Sequence, residues 1–454
     1  MPWPPSARRP DHRAGDAVGA DAARTTDAED TVDADDTVDT DVAVVGAGPA
    51  GLALSLMLLR SGVRVALVEK SSGDPASAGR DFHGEVLQPG GQRVLDRLGV
   101  LSPARARGAR RLAGFRLLDR GRVLLDVDYG RLPGPYDHLL ALPQRHLLAE
   151  LLAACRALPG FRHLPGHRVS ALTGGHGRCT GVVATGPGGR RVTVRARVVA
   201  GADGRYSKTR ALAGIGAGRT EAFDQDVVWF SLPAPGRATG TVAVHRAPGS
   251  AVLVHDTHPD RLRVGWTLPH RGWPAVAARG VEAVRAELTA ALPQFADLIR
   301  DHVRALDDLR LLDVFAAHAD TWVRDGLVLL GDAAHTHGPL GAQGVNLALQ
   351  DAAALHPVLV DALRADDCSR GRLAAFPRLR GPAAEAVTRM QKVQAKALLG
   401  AGGPAADVLR SHAARLVGRT PLGTRITRRI AYGRTPPEVR TDLFTVRTPA
   451  PRRA

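Results

Sequence analysis

The stretch Thr40–Ser71 constrains the fold of this chain more than any other, and it reads TDVAVVGAGPAGLALSLMLLRSGVRVALVEKS. An apolar run through Val42, Val44 and Val45 stops at Gly46-Ala47-Gly48-Pro49-Ala50-Gly51. A helical pattern follows, with Leu52, Leu56 and Leu59 on one face and Gly62 where a C-cap belongs. Val63–Val68 then forms a second strand that ends at Glu69. Strand, glycine turn, helix, strand and acid in this order make up the dinucleotide fingerprint in its full context. Gly46 permits the tight turn, Gly48 lets backbone approach a pyrophosphate, and Gly51 with Ala50 lets the helix pack close to the strand. The helix N-terminus offers its free N–H groups to the phosphates. Glu69 stands about twenty residues downstream, in reach of a ribose hydroxyl. The fingerprint by itself leaves NAD and FAD both open.

A chain of 454 residues accommodates two domains with extensions. No apolar run reaches the ~18 residues of a membrane span, and no signal peptide is visible. Cys155, Cys179 and Cys368 lie far apart without a CxxC spacing, which predicts neither a disulfide framework nor a zinc site and suits a reducing cytoplasm. The formal charge of +16 is almost entirely arginine, interspersed with acids and not interleaved with aromatics, so no nucleic-acid partner is expected. The field still favours a charged NAD(P)H or an anionic substrate.

Residues 1–39 lack hydrophobic periodicity. Met1–Thr40 carries ten acids against four arginines, net −6, and is expected to be a disordered acidic tail. After Glu69 a loop leads to DFHGEVLQPGGQRVLDRLGVL, whose second half is helical with a stop at Gly99. Phe115–Tyr129 reads as a hairpin around Gly121, ALPQRHLLAELLAAC as an amphipathic helix, and HRVSAL and GVVAT as strands. RVTVRARVVAGADGRYSKTRALAGI gives a strand, a turn at Asp203-Gly204 and a helix capped near Ser207. From Glu221 to Leu311 strand-like runs dominate. LVLLGDAAHTHGPLGAQGVNLALQDA then supplies a buried strand, Asp332 at its end, a glycine-rich loop and a long helix from about Gly344. From Gly381 onward fourteen basic residues face four acids; a solvated helical extension is expected, with weak membrane-surface contact as the alternative.

Asp332 at a strand C-terminus is placed to accept from ribityl hydroxyls. Pro339, Gly341 and Gly344 have little side-chain bulk and suit contact with a flavin ring. The helix from Gly344 aims its positive end at the flavin N1–O2 edge, with Val345 and Asn346 in its first turn. With the fingerprint and GADGRYSKTR, this third motif resembles the para-hydroxybenzoate hydroxylase-like, single-component FAD monooxygenases, over roughly Asp41–Leu379. The resemblance implies FAD as cofactor and NAD(P)H as co-substrate, and oxygen transfer through a flavin C4a-hydroperoxide. It further implies cofactor contacts at Asp203, Gln144, Arg145, Arg80, Val169 and Lys70. DFHGEVLQPGG is similar to the epoxidase and polyketide-tailoring members, with Asp81 and His83 where hydroxybenzoate enzymes have arginines. His335 with His337, and His255 with His258, lack the further ligands a metal requires, so no metal is expected. A halogenase and a GxSxG hydrolase are both disfavoured.

The expected fold is α/β: a Rossmann-like FAD-binding domain from 40–110, 138–220 and 312–378, an inserted mainly-β substrate domain from 111–137 and 221–311, and a helical C-terminal extension from 379–454. The expected activity is hydroxylation or epoxidation of a small hydrophobic, aromatic or polyketide-like substrate with O2, in the cytoplasm. An FAD-dependent reductase or a non-catalytic FAD-binding protein are the alternatives.

Overall fold

The computed structural model describes residues 36–73, 84–220, 225–247, 249–399 and 420–446. Most of the expected acidic tail, together with Arg80, Asp81 and His83, lies outside the described residues. The chain enters through β1 (Asp36–Val45), α1 (Pro49–Arg60) and β2 (Val65–Glu69). Next come β3 (Val86–Leu87), α2 (Pro89–Arg97), α3 (Leu101–Ala106) and β4 (Arg110–Leu112), then the hairpin β5 (Gly114–Asp119) and β6 (Arg122–Asp128). β7 (Leu139–Ala141), α4 (Gln144–Arg156), β8 (Phe161–Pro165), β9 (Arg168–Gly175), β10 (Arg178–Thr185), β11 (Arg191–Gly201) and α5 (Lys208–Leu212) follow.

An eight-stranded sheet carries the glycine turn. β1 pairs in parallel with β2 on one edge and β11 on the other, and β2 pairs in parallel with β8. The far edge of β11 is shared by antiparallel β10 and by parallel β20 (Leu327–Leu329), which pairs in turn with β19 (Val323–Arg324). β1 is fully buried from Val42 onward, which is why it reads as a continuous valine run rather than an alternation. α1 is buried on every face, with α4 and α9 (Gly344–Arg364) packed against it, and its sequence is correspondingly apolar all round.

The second large sheet runs β17 (Arg310–Leu312), β13 (Gln225–Pro233), β16 (Arg261–Pro269), β15 (Ser250–Thr257), β14 (Val242–Ala247), β5, β6. Its strands alternate. Val228, Phe230, Val252, Val254, Val264 and Trp266 face α7 (Gly280–Ala291) and α8 (Ala296–His302), while Val227, Trp229, Leu253 and Gly265 lie on the opposite face. Two three-stranded sheets, β3-β7-β4 and β12 (Ala217–Thr220)-β18 (Ala316–Ala319)-β21 (His335–Thr336), stitch the large ones together.

Three expected boundaries fall inside elements. Asp36–Asp39 belong to β1, in register with Val192–Arg195, so the tail is shorter than 1–39. The break at 311/312 cuts β17, and that at 378/379 cuts α11 (Ala375–Leu399). Nor are the described residues of the C-terminal part solvated throughout. α12 (Pro421–Tyr432) packs on α2 with Ala431 buried, and the N–H groups of Thr445 and Val446 donate to the carbonyl of Arg60 at the end of α1. Net charge misled here, because the arginines of α12 line its outer side while its small residues face inward.

Candidate FAD and substrate site

The glycine turn separates two requirements. Gly46 has φ +104°, and a Cβ there would sit 2.5 Å from the Ala202 carbonyl oxygen. A Cβ on Gly51 would sit 2.0 Å from the carbonyl oxygen of Gly46. Both positions are therefore closed by the protein itself. Gly48 differs: it is the N-cap of α1, and a Cβ there meets nothing within 4 Å. α1 has no acid in its first turn and no side-chain cap, so its N–H groups and positive end face an open cradle suited to a pyrophosphate. The residues present fit the dinucleotide cofactor.

Glu69 ends β2 as expected, but its carboxylate serves the turn. One oxygen accepts from the Ala47 N–H at 2.7 Å and the other from the Ser71 N–H at 3.0 Å. A carboxylate has further acceptor positions for a ribose hydroxyl. His167 N–H donates to the Glu69 carbonyl, which brings buried Val169 and exposed Lys70 to the same rim.

The three separated motifs converge. Gly331, with φ +60°, lies against Ala50 of α1 and Ala348 of α9. Arg210 donates to the Ala333 carbonyl at 2.8 Å, and Arg205 stands 3.8 Å from Asp332. Asp332 is half-buried at the end of β20, where the sequence placed it. Asp203 accepts from the Ser207 hydroxyl at 2.5 Å and from the Thr209 N–H and hydroxyl at 2.9 and 3.0 Å, bracing the start of α5, and its half-buried carboxylate keeps a further acceptor position. Its contribution is to build the turn that Gly46 packs on.

The loop before α9 is bent by left-handed backbone at Gly341 (φ +73°) and Ala342 (φ +51°). Pro339, Gly341, Gly344 and Val345 are all half-buried around it, and α9 has no acid in its first turn. Asn346 corrects the expectation. Its side chain is fully buried, its amide donates to the carbonyls of Ala342 (2.6 Å) and Val86 (3.4 Å), and its oxygen accepts from the Gln88 N–H at 2.9 Å. Both amide hydrogens are used inside the protein, so Asn346 ties α9 to β3 rather than meeting the flavin edge. Gln144 and Arg145 open α4; the pairing of Val86 with Ala141 brings them beside the segment that carries Gln88.

Several further residues shape the site. Gln88 donates to the Gly341 carbonyl at 2.8 Å and accepts from the Tyr129 hydroxyl at 2.9 Å; burial pushes the Tyr129 phenol above its usual range. Beneath the loop, buried Asp351 accepts from His335 (2.6 Å), Arg380 (2.7 Å) and the Gly331 N–H (3.1 Å). Burial opposes its ionisation, yet the His335 and Arg380 charges outweigh that and hold the carboxyl at about 2. His335 also meets His337 at 3.1 Å, and His337 meets Thr388 at 3.2 Å, so both histidines are engaged in hydrogen bonds. Among the described residues Asp226, His270 and Asp313 also come together, but their oxygens already accept from Arg271, Tyr206 and Arg219.

The chain matches the sequence model of the FAD binding domain over residues 39–391. A 6-methylpretetramide 4-monooxygenase of Streptomyces rimosus is 52% identical over 409 residues, covering 90% of this chain and 96% of that one. The p-nitrophenol 4-monooxygenase PnpA from Pseudomonas putida matches with a TM-score of 0.71 at 22% identity, over 88% of this chain and 100% of that one. The OxyS anhydrotetracycline hydroxylase from Streptomyces rimosus matches with a TM-score of 0.68 at 24% identity, over 87% and 76%. At these identities the two structures speak to the fold, an α/β FAD-binding frame.

Proposed function

The chain belongs to the FAD binding domain family, as a flavin-dependent monooxygenase, and from that premise we propose that it hydroxylates a fused-ring aromatic polyketide. The observation that carries the substrate class is the 52% identity, along nine tenths of the chain, to an enzyme named for 6-methylpretetramide. When bound, FAD supplies the redox chemistry, accepting hydride from NAD(P)H and activating O2. The chain's own residues hold, orient and exclude. The Gly46–Gly51 turn and the α1 N-terminus take the pyrophosphate, the rim of Glu69, Lys70 and Val169 takes the adenosine, and Asp332 takes the ribityl chain. The α9 N-terminus places positive potential, through backbone N–H groups, where negative charge collects on the reduced ring.

The β13–β17 sheet acts as the substrate domain. Its face of Val227 and Trp229 packs with Leu312, Leu340 and Ala395 over the loop, an apolar cover that keeps water from the reacting centre. α11 belongs to this cover. Within the same proposal the protein works in a reducing, cytoplasmic setting, supported by three free, buried cysteines. Among the described residues no helix is long and apolar enough to cross a membrane. Membrane-surface contact, if made, falls on α12, where Leu422 and Ile426 are exposed beside Arg425.

The test is turnover of 6-methylpretetramide with NAD(P)H under 18O2. One labelled oxygen in the product is expected. An unlabelled product formed without O2 favours the reductase alternative, and FAD binding without NAD(P)H consumption favours the non-catalytic one.

A further inference from the structure

Four glutamines surround the loop Gly338–Ala342. Gln88 and Gln343 both donate to the Gly341 carbonyl, at 2.8 and 3.1 Å. Gln391, on α11, donates to the carbonyls of Gly338 (2.9 Å) and Leu340 (2.6 Å). A primary amide has two hydrogens, so Gln391 has none left, and flipping it would set its oxygen against two carbonyl oxygens. Its orientation is therefore fixed. Its Oε1 is left as a pure acceptor, in a side chain only 1% exposed, with no hydrogen-bond partner.

Gln394 lies three residues on, on the same face of α11. Its Oε1 is also buried without a partner, 3.5 Å from where a Cβ on Gly341 would stand. The next residue, Ala395, packs with Leu340, Val227 and Trp229. Two amide oxygens thus sit beside the apolar cluster of Val227, Trp229, Leu340 and Ala395, next to a loop whose own carbonyls are already taken. Buried acceptors in native proteins have donors, so these two call for a ligand that brings O–H or N–H groups.

We propose that Gln391 and Gln394 form an acceptor pair that recognises the phenolic hydroxyls of the substrate, its rings lying against Leu340, Ala395 and Trp229. This rests on the monooxygenase reading and narrows it: the two oxygens as placed select a group that donates a hydrogen bond. Gln391 sets the loop and fixes the first acceptor, while Gln394 supplies the second.

The experiment uses the full-length FAD-loaded protein and two probes of one shape, 2-naphthol and 2-methoxynaphthalene, titrated by calorimetry. The wild type is expected to bind the naphthol about tenfold more tightly, the size of one well-made hydrogen bond. Gln394→Leu and the near-isosteric Gln394→Met remove the acceptor and should bring the ratio close to one. Gln394→Glu keeps an acceptor and should preserve the preference. A wild type that does not distinguish the probes, or a ratio unchanged in both Leu and Met variants, overturns the proposal. So does a loss of FAD affinity with the ratio unchanged, which would assign the oxygens to a flavin N–H. None of these outcomes touches incorporation of label from 18O2, so the two readings fail separately.

Discussion

Arg380 Nε donates to Asp351 at 2.7 Å in a place where neither side chain reaches solvent, and the same carboxylate accepts from the backbone of Gly331. One ion pair therefore fastens α11 to the strand end that bears Asp332. Removing the cation strands a buried carboxylate, the costly half of breaking such a pair. Arg380→Met is expected to lower stability by about 3–5 kcal/mol, with reduced flavin occupancy in whatever folds. Urea unfolding of apo and FAD-loaded protein measures it, and an unchanged midpoint refutes the assignment.

The glycine turn predicts a split. Gly51→Ala pushes a methyl into the Gly46 carbonyl and should damage the apoprotein itself. Gly48→Ala meets only open space, so the apo melting temperature should hold while FAD affinity falls at least tenfold, because the methyl occupies the pyrophosphate's approach. Thermal scans with fluorescence titration of FAD separate the two. Equal behaviour of the variants contradicts the division of roles.

Asn346→Leu leaves the Gln88 N–H and the Ala342 carbonyl without their partner inside the protein. The expected cost is roughly 2–4 kcal/mol of stability, present already without flavin. A variant that melts like the wild type and only slows flavin reduction would return Asn346 to the flavin edge.

Acid should weaken the fold before it protonates carboxylates. His356 is fully buried between Ser61 and Phe444, and burial, reinforced by the Arg440 charge, lowers its pKa to about 4. An unfolded histidine titrates near 6.5, so the unfolded state takes up the proton first. The contribution is intact above pH ~6.5 and is lost as pH falls from there to ~4, on the order of 3 kcal/mol in all. His337 and His255, also lowered chiefly by burial, add to the same window. His356→Gln should flatten the fall in melting temperature between pH 7 and 4.5; an unaltered slope would place the effect elsewhere.

What could be read in the sequence was local. Gly46, Gly51 and the Asp203-Gly204 turn declare themselves because strand, turn and helix occupy neighbouring residues and only small side chains fit. The internal bonds of Asp203 and Asn346 are hidden for the opposite reason. A polar residue near a cofactor motif looks like a ligand, while its partners, Thr209 or Gln88, are visible only in three dimensions. Gln391 gave no signal at all. It lies on a helix whose charged neighbours Glu385, Arg389 and Lys392 suggest a solvated face, and its acceptors are carbonyls more than fifty residues earlier.

The position of β1 has a consequence during synthesis. β1, α1 and β2 leave the ribosome well before β11, yet β1 pairs along its length with β11, and β11 in turn with β20. Until Arg191–Gly201 has emerged, the newborn chain carries an open, valine-rich parallel edge of the kind that invites misassociation. The Gly338–Ala342 loop waits longer still, for Gln391. The parts that would hold FAD thus come together only after the chain has run from β1 to α11, and ligand binding can stabilise the fold only from that point on.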